Sequence, residues 1–277
     1  MVRNLVLSAV SLCALSLAAA AGCAATVEDP SSSSSAETER ETSREGDEEV
    51  SADELALGDA NRAGFAEPTY DETERAAVLA KYTHIDPDDV VPQLLQENAL
   101  QYYHFNKARL ENSAYVTIVD MSIHSGTPRF FLIDMQSGAV TSTVVAHGEG
   151  SDPEDDGIPS TFGNVNDSLM TSLGYYKTAE TYTGRWGFSL RLDGLSTTNS
   201  IVRERAVVMH GASYVSRTKA KQGLSWGCPA LPMNEKDAII RKLRSGSLLY
   251  IDSTPLAAER LQVDADAGGS ASPEAGL

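Results

Sequence analysis

The sequence predicts a mainly β domain with a few helices, and three observations carry that prediction. Short runs rich in β-branched and aromatic residues recur after residue 113, separated by Gly, Pro and Ser. Helical periodicity is confined to the stretch before them and to one later segment. Both ends of the chain are polar or low in complexity. The expected organisation is therefore a β-rich domain at 111–254, preceded by a helical N-terminal segment at 61–110.

Within the helical segment, Asp71 to Lys81 forms one candidate helix. Val91 to Asn106 forms a second, with Leu94, Leu95, Ala99, Leu100 and Tyr103 at helical spacing. Ala114–Met121, Arg129–Met135 and Val140–Ala146 read as consecutive strands joined by tight turns, and Ser189–Leu195, Ala206–His210 and Ser247–Asp252 as three more. One helix interrupts them: Asn234 is the expected N-cap, Glu235 and Asp237 fill the first turn, and Ile239, Ile240 and Leu243 make the inner stripe. Gly246 follows its basic last turn. No internal repeat is present.

At the N-terminus, Met1 to Asn4 is a short basic region and Leu5 to Ala21 carries no charge, so residues 1–22 read as an export signal. Ala20-Ala21-Gly22-Cys23 resembles the lipobox of bacterial lipoproteins. That resemblance implies cleavage before Cys23, lipid on its thiol, and a membrane anchor. Ala24, where an Asp favours inner-membrane retention, leans towards the outer membrane. The alternatives are an ordinary secretory signal cut between Ala21 and Ala25, or a retained transmembrane helix, for which the run is barely long enough.

Residues 23–60 are expected to be a disordered tether: from Thr26 to Ala60 there are 12 acidic and 2 basic residues, against a net charge of −17 for the whole chain. Residues 255–277 are expected to be a second disordered tail. The body from Asn61 to Thr254 holds 23 acidic and 18 basic residues, which provides no concentrated basic surface and argues against a nucleic-acid partner. Nothing in the sequence specifies an oligomeric state.

Of the three cysteines, Cys13 would leave with the signal and Cys23 would carry lipid, so Cys228 remains without a disulfide partner. It lies in Ser225-Trp226-Gly227-Cys228-Pro229-Ala230, eighteen residues after the His210-Gly211 that ends an apolar run. A thiol is a nucleophile only as thiolate, so it needs a base beside it and N–H groups aimed at the developing oxyanion. Gly before the Cys and Pro after it suggest a turn that lifts the sulfur and frees local amides. The plain alternative is a buried structural thiol. His147-Gly148 also closes an apolar strand, where a His more often only caps the chain; His84, His104 and His124 have no motif around them. The five His and the one remaining Cys do not cluster at zinc spacing, so no metal site is expected.

Together with Thr171-Ser172-Leu173-Gly174, Glu180-Thr181-Tyr182-Thr183-Gly184 and Ser189-Leu190-Arg191-Leu192-Asp193-Gly194, the His-Gly and Gly-Cys motifs resemble the murein L,D-transpeptidase catalytic domain family, a YkuD-like fold. The likeness runs from about Ala114 to Asp252. It implies a β-sandwich-like domain and a cysteine enzyme acting on peptidoglycan stem peptides without a cofactor. By that likeness Cys228 is the nucleophile and His210 is the base, then the acid, its imidazolium supporting the thiolate. The Gly211 carbonyl orients the imidazole, and the amides of Gly227 and Cys228 form the oxyanion hole. Ser225 and Trp226 would line the substrate groove, and Ser172 and Arg191 are further candidates for it, although core packing or a turn role is the plainer reading of each taken singly.

Two positions depart from the commoner pattern: Trp226 stands for a His, and Ala230 for an Arg that would recognise a carboxylate. Arg217, Lys219 and Lys221 are candidates to supply that recognition instead, the alternative being a solvated loop with basic side chains. Trp186 reads as a core residue. Direct crosslinking of stems is the leading activity; trimming of tetrapeptide stems by an L,D-carboxypeptidase and non-catalytic wall binding are the alternatives.

Overall fold

The computed structural model describes residues 51–65 and 72–269. The chain divides into two units, Met1–Arg44 and Glu45–Leu277, and every described residue belongs to the second. The expected signal, Cys23 and most of the acidic arm lie outside the described residues.

Eight strands form one sheet: β1 (Tyr115–Asp120), β2 (Phe130–Asp134), β3 (Val140–Thr143), β4 (Gly174–Gly184), β5 (Gly187–Gly194), β6 (Val208–Ala212), β7 (Ala230–Pro232) and β8 (Leu248–Asp252). Their order is β3-β2-β1-β8-β4-β5-β6-β7. The pairs β1–β8 and β6–β7 are parallel and the others antiparallel. All six strands read from the sequence are present. β4 and β7 are additional: the first is a Thr- and Tyr-rich run that pairs with both β5 and β8, and the second is only three residues long.

The central strands are apolar on both faces. Val116 and Ile118 of β1, with Leu248 and Tyr250 of β8, face one cluster; Val119 of β1, with Leu249 and Ile251 of β8, faces another. Continuous apolar runs of this kind are what a strand covered on both sides requires. The first face is covered by α3 (Gln93–Asn106), which contributes Leu95, Ala99, Leu100, Tyr102 and Tyr103. On the second face, residues from distant strands share one core: Val119 and Phe130 join Met209 and Leu231, with Ile239, Ile240 and Leu243 of α4 (Lys236–Leu243). The sandwich implied by resemblance is thus one sheet folded over itself.

The two edges of the sheet also meet. Beyond β3, Ala146 N–H donates to the Ala230 carbonyl (2.9 Å), and Gly148 bridges to Ser225 in parallel. The seam brings 144–148 against β7 and the segment that holds Cys228.

Three expectations need correction. The tether does not run unstructured to residue 60: Ala52–Arg62 is a helix, α1. Its buried Gly58 lies so close to Arg203 that a Cβ there would stand 2.6 Å from Arg203 Cδ, and Arg62 donates to the Ser200 carbonyl. Charge composition hid a short Ala- and Leu-containing helix with a docking face. The tail after Thr254 likewise opens as a helix, α5 (Thr254–Gly269), because Ala257 is buried and Arg260 pairs with Asp252. Finally, α4 begins after Glu235, not Asn234, and no side chain caps it. Glu235 is instead held by Arg217 at 2.6 Å. The earlier helices fall where periodicity put them, α2 at Glu72–Leu79 and α3 starting after Pro92.

Candidate active site

β6 carries His210 into the interior, where it is 2% exposed. Its Nδ1 lies 3.1 Å from the Gly211 carbonyl oxygen. A carbonyl only accepts, so Nδ1 holds the proton and Nε2 is left as the basic nitrogen. Burial, reinforced by the charge of Lys236 and opposed by the Gly211 hydrogen bond, pushes the imidazole pKa down to about 4. His210 is therefore neutral near pH 7, the form a general base needs. This corrects the expectation of a resting imidazolium beside the thiol.

Cys228 is partly exposed, and its sulfur rests against the start of the same strand. Val208 N–H donates to Sγ at 3.4 Å, and the Ala206 carbonyl oxygen is 4.0 Å away. Val208 precedes His210 by two residues, and the parallel β6–β7 pairing sets Ala230 beside His210. The sulfur and His210 are thus both set against β6, the sulfur at the backbone of Val208, two residues before the imidazole.

The turn is fixed by Ser225 and two glycines. Ser225 N–H and Oγ both donate to the His147 carbonyl (2.9 and 3.1 Å), and the same hydroxyl lies 2.7 Å from the Cys228 carbonyl oxygen. Gly227 has φ of 107°, and a Cβ there would lie 2.6 Å from the Met170 carbonyl oxygen. Only glycine fits that backbone and that space. Gly148 is packed as tightly: its Cβ would come within 2.9 Å of Gly227 Cα. Residues 87–251 match the L,D-transpeptidase catalytic domain family. The chain belongs to that family.

The L,D-transpeptidase domain also has structural neighbours. An L,D-transpeptidase from Mycobacterium smegmatis is similar at 12% identity and TM-score 0.32, over 50% of this chain and 58% of its own. One from Stackebrandtia nassauensis shares 15% identity at TM-score 0.32, over 71% of this chain and 88% of its own. The cell-shape-determining protein Pgp2 from Campylobacter jejuni shares 11% at TM-score 0.33, over 50% and 48%. This chain therefore spans less than two thirds of the M. smegmatis and C. jejuni proteins. No curated protein sequence matches it.

Several residues assigned to this transpeptidase site by resemblance are placed differently. The Gly227 amide donates to Ser225 Oγ (3.2 Å), so it is engaged within the turn and is not an oxyanion donor in this conformation. Ser225 is 4% exposed and pins the turn instead of contacting substrate. Ser172 is 1% exposed and donates to the Gly163 carbonyl (2.8 Å), bracing the loop behind the turn. Arg191 is buried in a network with Glu180 and lies over the Tyr182 ring. Arg217 is neutralised by Glu235, and Lys221 by Asp155, so neither is a ready carboxylate receptor. Trp226 is half-buried within the turn, next to the engaged Gly227.

His147 is not a second base. It is fully buried, its Nδ1 accepts from Arg129 Nη2 (2.6 Å), and its Nε2 faces Asp152 Oδ2 (3.2 Å). Both ring nitrogens are engaged. Burial and the adjacent Arg129 guanidinium, opposed by Asp152, push its pKa down to about 4. Its role is mechanical: its carbonyl receives Ser225, so the Arg129–His147–Asp152 strut underlies the turn that holds Cys228.

Sequence reasoning missed Trp186. The indole stacks on the His210 ring at 4.8 Å between centroids and 24° between planes, with Arg185 above it. Trp186 sits at the two-residue tip between the paired Gly184 and Gly187. A large aromatic at a hairpin tip between glycines is the signal that could have marked it as a wall of a site and not a core residue. Among the described residues, no group of His, Cys, Asp and Glu side chains is arranged to hold a metal ion.

Proposed function

We propose that this domain is a cysteine acyltransferase joining peptidoglycan stem peptides by 3-3 crosslinks. The observation that carries the reading is the pairing of a neutral imidazole, its Nδ1–H fixed by Gly211, with a thiol set against the same strand at Val208 N–H. Nε2 of His210 takes the thiol proton as Sγ attacks the carbonyl of the L-centre of meso-diaminopimelate at position three. A C–S bond forms, the amide C–N bond breaks, and the proton passes from His210 to the departing D-alanine amine. The acceptor amine of another stem then gives its proton to His210, a C–N bond forms, and the C–S bond breaks. Trp186 holds the imidazole plane throughout. The lipobox-like sequence around Cys23 supports attachment of this activity to the outer membrane.

Trimming by an L,D-carboxypeptidase uses the same residues with water in place of the acceptor amine. Incubating the purified protein with disaccharide tetrapeptide and mass-analysing the products separates the readings. The proposal expects a crosslinked dimer and free D-alanine. Tripeptide alone would make it a carboxypeptidase, and unchanged substrate would leave wall binding.

A further inference from the structure

Arg205 was not singled out by any motif. It stands in the turn before β6, half-buried, with its guanidinium spread across the segment 163–172. Nη1 donates to the Gly163 carbonyl (3.2 Å) and Ser172 Oγ (2.7 Å); Nη2 donates to the Met170 carbonyl (2.7 Å) and Ser168 Oγ (3.4 Å). These four acceptors are neutral oxygens. Among the described residues no carboxylate pairs with this guanidinium. With both terminal nitrogens bonded to fixed protein atoms, Arg205 is not free to close as a fork on a substrate carboxylate. It is a rigid, uncompensated positive charge.

That charge abuts the nucleophile turn. A Cβ on Gly227 would lie 3.2 Å from Arg205 Nη2, and the Met170 carbonyl that Nη2 holds would be 2.6 Å from the same point. Between Arg205 and the strand, Ala206 adopts a left-handed backbone, φ 52°, and its carbonyl is the one near the sulfur. A non-glycine residue in that region is strained, as backbone at functional sites often is. The groups with a negative form that favour the Arg205 charge are Tyr176 and Cys228. Tyr176 is buried, donates to the Ser172 carbonyl (2.6 Å), and has its pKa driven upward by burial, so it stays neutral. The thiolate is the anion left for Arg205 to face.

We propose that Arg205 is the positioning residue of the nucleophile: it braces the segment 163–172 behind the Gly227–Cys228 turn and supplies the fixed positive charge beside which the Cys228 thiolate forms. The inference rests on the reading of Cys228 as nucleophile. The charged or titratable groups set against the sulfur and its base are Tyr176, Arg205, His210 and Lys236. Tyr176 and His210 are neutral near pH 7, and Lys236 is occupied by the Phe188 carbonyl and Asp237. Arg205 is the cation among them without a carboxylate.

The test follows iodoacetamide alkylation of Cys228 against pH in wild type, Arg205→Gln and Arg205→Lys, read by peptide mapping, with thermal melts on each. Arg205→Gln is expected to move the alkylation midpoint upward and to slow the reaction at pH 7 about tenfold, the scale of one nearby charge. Arg205→Lys keeps the charge and is expected to restore most of the rate while melting lower, because an ammonium cannot span the same acceptors. A purely bracing role lowers both melts and leaves the midpoint where it was; that result overturns the charge role. Should Arg205→Gln not fold, the wild-type ratio of iodoacetate to iodoacetamide rates decides. A ratio above that of N-acetylcysteine supports a fixed cation at the sulfur, and an equal or lower ratio overturns it. If the wild-type thiol reacts only in denaturant, the nucleophile reading itself has failed and this inference falls with it.

Discussion

His210→Ala is expected to slow acylation of Cys228 by about 10² to 10⁴, the usual contribution of a positioned general base. The imidazole enters the reaction neutral, with one nitrogen tied to the Gly211 carbonyl, so its removal deletes the proton acceptor outright. The fold should tolerate the change poorly on one side only, since Trp186 loses its stacking partner. His147→Ala has the opposite signature. It strips Arg129 of an acceptor and Asp152 of a partner beneath the turn, so its first effect is a lower melting temperature. Single-turnover acylation of both variants, each with a melt, checks the assignment. Equal rate losses at equal stability would mean that the base is misassigned.

Acid is expected to destabilise the domain well before the carboxylates titrate. His147 and His210 are both buried neutral, with pKa values near 4 against about 6.5 in the unfolded chain. Between those values the unfolded chain binds protons that the folded chain refuses, so stability falls as pH drops from 6.5 to 4 and is recovered above 6.5. Each imidazole removes roughly 3 kcal/mol over that window. Set against a typical total of about 5–15 kcal/mol, the pair is a large fraction. Urea unfolding at pH 7, 5.5 and 4.5 should show a steep decline, and a flat profile would mean the two rings are not held neutral.

His210 and Cys228 could be singled out as candidates because their signals are local in sequence: an apolar run reaching His-Gly and a Gly-Cys-Pro turn. The central strands were legible for a similar reason, since a run such as Leu248–Ile251 is apolar without interruption and must be covered on both faces. What could not be read is what closure of the sheet brings together. Trp186 reaches His210 only through the β4–β5 hairpin and the Leu190–Met209 pairing of β5 with β6. Arg205 meets the nucleophile turn by packing across the 163–172 segment, and His147 meets Ser225 only at the seam. Ser172, Ser225 and Arg191 have the residue types of a binding groove, but they are buried and engaged: Ser172 and Ser225 brace the loop and the turn, and Arg191 pairs with Glu180. The helices α1 and α5 were hidden by composition, which counts charges and not the few small residues that dock.

The measurement that tests the central claim most directly is the intact mass of the protein after brief incubation with disaccharide tetrapeptide, quenched in acid and mapped by proteolysis. Wild type is expected to gain the mass of the donor less D-alanine, on the peptide containing Cys228, with one D-alanine released per adduct. Cys228→Ser, still folded, is expected to show neither. D-alanine release that survives the loss of Cys228, or a wild type that forms no adduct at that residue while its thiol alkylates only in denaturant, would contradict the account.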